Sequence, residues 1–402
     1  MKTLQITPTV HWAGTLDFDI RHFDIVMETK FGTTYNSYVI QAEKIAVVET
    51  TKLKFWDEYL ETLKTLVNPK DIAYIVFNHS EPDHSGALGK LLEVAPNACV
   101  LGSAVAIANL ENIIGRKFNS QIVKDGDTVS LGNKMLHFIN APNLHWPDSI
   151  FTYLEEEKIL FSCDPFGAHY CDENMFDDLI DTKKYGGAFH YYFQHILRPF
   201  SKSFLKAIEK IRPLDIQTIC PGHGPILRKN WKYYVDLSEK LSQEFLNDIP
   251  QKNRVFVGYV SAYGYTKEAA EKITEGLKAA GNIEVDLCDL EFIPITELAC
   301  RIEKANAYLL GSPTLNQNTL LQIYQCFAVM TPLRDRGKLA GTFGSYGWSG
   351  EAPQIIEANL AALKFNLYDE KFIFKFRPLG EVQNLASEFG KKFGEHFLKS
   401  IL

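Results

Sequence analysis

Four side chains able to bind a metal fall within six residues in His79-Ser80-Glu81-Pro82-Asp83-His84. The run follows the apolar stretch 73–77, which reads as a strand, so imidazoles and carboxylates are delivered together at a strand's end. Solvated surface gives no reason to concentrate four such groups there. Three further candidates lie at expected strand ends: His145 in Asn143-Leu144-His145-Trp146-Pro147-Asp148, Asp164 in Phe161-Ser162-Cys163-Asp164-Pro165, and His223 in Cys220-Pro221-Gly222-His223-Gly224. Four imidazoles and three carboxylates form a ligand set for two metal ions. His11, His22, His137, His190, His195 and His396 fall outside this pattern and are assigned to surface or core.

A second chemistry resides in the other half. Ser261-Ala262-Tyr263-Gly264-Tyr265-Thr266 follows an apolar strand and opens a helix, offering backbone N–H groups and hydroxyls to an anion. No Gly-Lys-Ser/Thr follows, so the turn suits a monophosphate rather than a triphosphate. Two more loops, Gly311-Ser312-Pro313-Thr314-Leu315-Asn316 and Gly344-Ser345-Tyr346-Gly347-Trp348-Ser349-Gly350, follow later strands of the same expected sheet. Such loops at the carboxyl ends of parallel strands are where ligands bind beside a switch in strand order. Tyr346 and Trp348 suit a flat heteroaromatic ring.

The positioning elements divide into two sets. Polar residues 247–254, with Pro250 among them, separate a helical stretch over 230–245 from the strand that begins near 254, so the boundary is placed near Pro250. Before it, strands are expected at 35–40, 45–49, 73–77, 98–101, 150–154 and 159–162, with helices at 55–66, 86–94 and 204–211. This is a layered α/β sandwich. After it, strands at 254–260, 283–287, 307–311, 338–343 and 371–376 alternate with helices at 266–280, 319–330, 353–364 and 383–399. This is a doubly wound parallel sheet. The expected domains are 1–249 and 250–402.

The spacing of the first ligand set resembles the metallo-β-lactamase fold, whose usual run is His-x-His-x-Asp-His, with Glu81 in place of the second histidine. The four neutral imidazoles and three carboxylates carry −3; two ferrous ions and one bridging hydroxide would bring the cluster to neutrality. The additional oxygen ligand suits iron better than the imidazole-richer sets of zinc hydrolases. Residues 250–402 resemble flavodoxin, which implies FMN held by Ser261, Tyr263, Gly264, Tyr265, Thr266, Ser312, Pro313, Thr314, Leu315, Asn316, Ser345, Tyr346, Gly347, Trp348, Ser349 and Gly350. Together these features resemble the flavodiiron family from about residue 30 to the C-terminus. The resemblance implies one iron on His79, Glu81 and His145, another on Asp83, His84 and His223, and Asp164 bridging them. It also points to His169, five residues past Asp164, and to Tyr191 or Tyr192 near the substrate pocket. Some oxygen-preferring members carry a histidine and a tyrosine near the stretch Asp24-Ile25-Val26, and this chain has neither there.

The implied activity is reduction of dioxygen to water, of nitric oxide to nitrous oxide, or of both. Two ferrous ions and a reduced flavin hold the four electrons that dioxygen requires, while two nitric oxides require only two. The seven cysteines include no Cys-x-x-Cys pair, so no rubredoxin-like module is expected, and each thiol is read as buried and inert. An external donor must then reduce the flavin, a rubredoxin or a deazaflavin of the F420 type. The resemblance implies a head-to-tail homodimer or a dimer of dimers. A formal charge of −7 without a basic run argues against nucleic acid. The lack of any 18-residue apolar stretch or leader-like start points to a cytoplasmic protein with no membrane partner. A dinuclear hydrolase with an appended flavodoxin domain and a non-catalytic electron carrier are the competing readings.

Overall fold

The computed structural model describes residues 3–24, 27–247 and 253–401, and the chain forms two compact units, Met1–Asn247 and Asp248–Leu402. Pro250, where the sequence placed the boundary, and Ile25-Val26 lie outside the described residues.

The first unit is a four-layer α/β/β/α sandwich. One sheet runs Leu4–Thr7, Val10–Trp12, Tyr38–Ile40, Ile45–Val48, Ile72–Val76, Cys99–Gly102 and Ser120–Ile122 in spatial order; the other runs Thr128–Ser130, Met135–Asn140, Ile150–Leu154, Ile159–Cys163 and Thr218–Pro221. Strands such as Ile150–Leu154 and Ile159–Cys163 read as unbroken apolar runs because both faces are buried. In Ile150–Leu154, Ile150 and Leu154 enter the core between the sheets, whereas Phe151 and Tyr153 enter the outer core. That outer core lies beneath helices Thr182–Tyr192, Ser201–Ile211 and Trp231–Asn247. Helices Trp56–Leu66, Leu88–Val94 and Ala104–Ile114 cover the other sheet.

Several elements depart from the sequence expectation. The single strand at 35–40 is two pieces: Thr33–Tyr35 pairs with Thr15–Asp17, and Tyr38–Ile40 joins the larger sheet. Asn36 turns the chain between them, its amide donating to the carbonyls of Pro221 and Gly224 while its oxygen accepts from Trp12 Nε1. Helices Ala104–Ile114, Thr182–Tyr192 and Ile295–Glu303 were not expected. The first was signposted by a Ser103 cap that accepts the Ala106 N–H and by Gly115 at φ +75°. The 86–94 helix begins at Leu88, and a separate turn, Pro82–Ser85, lies within the ligand run.

The second unit is one parallel sheet in the order Glu284–Asp289, Arg254–Tyr259, Ala307–Gly311, Leu339–Tyr346, with Asn366–Leu367 and Phe372–Lys375 both pairing onto the last. Helices Tyr265–Ala280 and Glu381–Ser400 pack on one face through Ile273, Leu277, Phe389 and Phe393. Ile295–Glu303, Leu321–Val329 and Ala352–Ala362 pack on the other. The chain order reverses between Arg254–Tyr259 and Ala307–Gly311, which opens a ligand crevice at their carboxyl ends. Among the described residues no helix is long and apolar enough to cross a membrane.

Candidate metal centre

All seven expected ligands converge at one end of the sandwich. Strand Ile72–Val76 delivers His79, and Pro82 at the first position of the turn Pro82–Ser85 presets the backbone that presents Asp83 and His84. Asp164 follows strand Ile159–Cys163, and His223 follows Thr218–Pro221. His145 sits on the loop between Met135–Asn140 and Ile150–Leu154. Gly222 lets the last ligand loop pass against His84, since a Cβ there would lie 2.6 Å from the imidazole Cε1.

The side chains form two trios joined by Asp164. Glu81 Oε2 lies 3.1 Å from both His79 Nε2 and His145 Nε2, and Asp164 Oδ2 lies 3.6 and 3.4 Å from the same nitrogens. Asp83 Oδ2 lies 3.3 Å from His84 Nε2 and 3.0 Å from His223 Nε2, and Asp164 Oδ1 lies 3.2 and 3.6 Å from those nitrogens. Ligands about 2.1 Å from one ion stand roughly 3.0–3.5 Å apart, so the spacing fits one ion per trio. Both oxygens of Asp83 and Oδ2 of Asp164 are buried without a hydrogen-bond donor, a cost that a bound cation removes. Burial opposes ionisation of Asp164, but His84, His79 and His145 in their protonated forms outweigh it and hold the carboxyl well below its usual range.

Neighbouring groups set the tautomers. Buried Asp148 faces His79 Nδ1 at 3.2 Å and accepts the Ser80 N–H at 2.7 Å. The Thr34 carbonyl accepts from His223 Nδ1 at 2.6 Å. Each bond commits the proton to Nδ1 and leaves the Nε2 lone pair facing the site. Glu49, buried close to His84 and His79, has its carboxyl pushed up to about 7 by burial. Cys163 also lies within reach of His84 and Asp164, but burial pushes its thiol well up and keeps it protonated.

Of the softer candidates, Tyr192 reaches the site, its hydroxyl donating to Asp164 Oδ1 at 3.1 Å. The Tyr191 ring instead lies 4.0 Å from that of His195, one helical turn on. His169 packs 4.9 Å from both His223 and Tyr192, with Nδ1 held 2.9 Å from Thr33 Oγ1. Sequence reasoning missed Asp148, Thr33 and Thr34. Asp148 carried a signal, a carboxylate three residues past His145, whereas the threonines carried none.

In the second unit the flavin-loop candidates gather at three adjacent strand ends. Gly264, at φ +82°, starts helix Tyr265–Ala280, and Ser261 Oγ accepts the Lys267 N–H at 3.2 Å. Thr266 Oγ1 pairs with Ser345 Oγ at 2.9 Å, linking the first and third loops. Thr314 N–H donates to the Ser345 carbonyl, and Ser312 Oγ donates to the Pro313 carbonyl. Leu315 and Asn316 form a tight turn, with Asn316 at φ +52°. Strand Leu339–Tyr346 runs further than expected, so Gly344, Ser345 and Tyr346 belong to it and the loop proper starts at Gly347. Trp348 and Tyr263 are each 78% exposed, leaving two aromatic faces for a ring to stack on. Ser349 and Gly350 close that loop. The thiols are buried except Cys99, half-buried, and Cys300, which is exposed against expectation.

A lactamase-type sandwich with a paired metal site, followed by a flavodoxin-type sheet, defines a two-module metalloflavoprotein. Residues 33–224 match the ODP family beta lactamase model and residues 257–395 match flavodoxin. The chain is 37% identical to flavo-diiron protein FprA2 of Clostridium acetobutylicum, covering 100% of both chains. It is 35% identical to a nitric oxide reductase of Moorella thermoacetica over 97% of this chain and 98% of the other. The rubredoxin oxygen:oxidoreductase structure from Desulfovibrio gigas superposes with TM-score 0.70 at 28% identity, covering 99% of each chain. The chain belongs to the flavodiiron family.

Proposed function

We propose that this protein is an oxidoreductase that reduces dioxygen to water, nitric oxide to nitrous oxide, or both, at a non-haem di-iron site fed by FMN. One observation carries the reading: Asp164 presents one oxygen to each of two His/carboxylate trios. One iron would take His79, Glu81 and His145, and the other Asp83, His84 and His223, with Asp164 bridging. Residues 1–249 would form the di-iron domain and 250–402 the FMN domain. The Moorella relative is named for nitric oxide and the Desulfovibrio structure for oxygen, which supports both gases as substrates.

Held by these residues, a di-iron pair would supply gas binding and electrons, and FMN would supply their replacement. The chain's own groups do the rest. Three carboxylates offset metal charge, while Asp148 and the Thr34 carbonyl aim His79 and His223. Tyr192 is kept a neutral phenol by burial and by Asp164 beside it, and its hydroxyl holds the bridging carboxylate. His169, beside both Tyr192 and His223, would line the substrate side. A rubredoxin is proposed as the electron donor, with a head-to-tail dimer or a dimer of dimers in the cytoplasm.

The test begins with composition: anaerobically purified protein should hold about two irons and one FMN per chain. Reduced through a rubredoxin system, it should consume oxygen without accumulating peroxide and convert nitric oxide to nitrous oxide. Asp83→Asn should abolish both activities and retain the flavin spectrum. Active protein with stoichiometric zinc and no iron would overturn the assignment.

A further inference from the structure

Helix Thr182–Tyr192 carries Gly186 and Gly187 in its interior. An interior glycine costs a helix roughly 1 kcal/mol relative to alanine. Yet a Cβ at either position would meet nothing within 4 Å, so close packing does not keep a side chain out. Gly187, Ala188 and Tyr191 instead line a cavity of about 350 Å³, with Phe31 and His169 completing its apolar part. Exposed Glu28, Lys30, Lys183 and Lys184 complete the lining as charged groups at its rim.

His169 is the most buried of these lining groups, at 4% exposure. Its ring lies 4.9 Å from His223, in the Asp83-His84-His223 trio, and 4.9 Å from Tyr192, whose hydroxyl holds Asp164. Thr33 fixes its Nδ1, while its Nε2 is buried without a partner. A single imidazole therefore separates the cavity from one trio. The open mouth of the centre belongs to the other trio, where the side chains of His145 and Glu81 are 22% and 14% exposed. The exposed mouth thus lies at one trio, while the cavity ends at His169, beside the other.

We propose that this cavity is the port through which the uncharged diatomic substrate reaches the metal pair, with His169 as its inner wall. The inference rests on the oxidoreductase reading above. A neutral diatomic partitions into apolar space and needs no hydrogen bond to replace its hydration. The mouth at His145 and Glu81 stays free for electron delivery.

The test uses the holoprotein and the variants Gly187→Leu and Gly187→Trp, whose side chains project with Lys183 and Tyr191. In stopped-flow reoxidation of the reduced protein, the second-order rate constant for oxygen or nitric oxide should fall about fivefold or more in Gly187→Trp and less in Gly187→Leu. Iron content, FMN content and the rate of flavin reduction should be unchanged. Crystals of the wild type under xenon pressure should hold xenon in the cavity, and those of Gly187→Trp should not. Xenon absent from the wild-type cavity, or equal reoxidation rates in a gas-active wild type and both variants, would overturn the port alone. A wild type that consumes neither gas would instead overturn the reading of function.

Discussion

Asp148→Ala would remove the acceptor of two buried donors, the His79 Nδ1–H and the Ser80 N–H. Burial alone would raise the Asp148 carboxyl, but the His79 and Ser80 bonds lower it, so the group is an anion that both donors depend on. Each unpaired buried donor costs about 1–3 kcal/mol, part of which water can recover by entering the space left. The larger consequence is at His79, whose ring would lose the bond that commits its proton to Nδ1. Loss of such a partner typically weakens metal binding about 10–100-fold, or ~1.4–2.7 kcal/mol. Competition with a chromophoric chelator under anaerobic conditions should show that weakening for one iron of the pair. Asp148→Asn should fall between, because its single amide oxygen can serve one donor while its NH2 meets the other. FMN content should stay at the wild-type value. An alanine variant that holds both irons against the chelator as tightly as wild type would refute the reasoning.

Two further outcomes are expected in the second unit. Thr266→Val, which removes a buried hydroxyl 2.9 Å from Ser345 Oγ, should weaken FMN binding by ~1–3 kcal/mol and leave iron content alone; unchanged FMN titration would show that the phosphate turn is elsewhere. Burial opposes ionisation of Asp335, but Arg334 and Lys338 outweigh it, so its folded pKa lies below the unfolded one. A lowered carboxylate contributes stability above about pH 3.9 and loses it as pH falls through the folded value. Asp335→Asn should therefore lower the thermal midpoint for flavin release at pH 7, and the gap should narrow below about pH 4. A gap as wide at pH 3.5 as at pH 7 would exclude this ionic contribution.

The run His79–His84 and the later Asp164 were legible in the sequence because a strand end converts local spacing into spatial convergence, whereas the strands before His145 and His223, Met135–Asn140 and Thr218–Pro221, were not expected. The parallel sheet of the second unit was legible because strands buried on both faces read as unbroken apolar runs between helical periods. Helix Thr182–Tyr192 was not legible, since its two interior glycines weaken the very pattern that marks a helix. The split at Asn36 was also hidden, because the three groups that bond its side chain come from Trp12, Pro221 and Gly224.

Residue types and order alone determined the two-part architecture, the seven candidate ligands and the three flavin-loop segments, all of which rest on local periodicity and spacing. Only the tertiary structure decided which Asp164 oxygen faces which trio, that Asp148 and Thr34 orient His79 and His223, and that the hydroxyl of Tyr192, rather than that of Tyr191, bonds Asp164. Adjacent residues on a helix point about 100° apart, so the choice between two neighbouring tyrosines is set by how the helix rolls against the sheet. That roll is fixed by packing of Tyr185, Phe189 and Tyr192 into the outer core, an interaction between segments far apart in the chain.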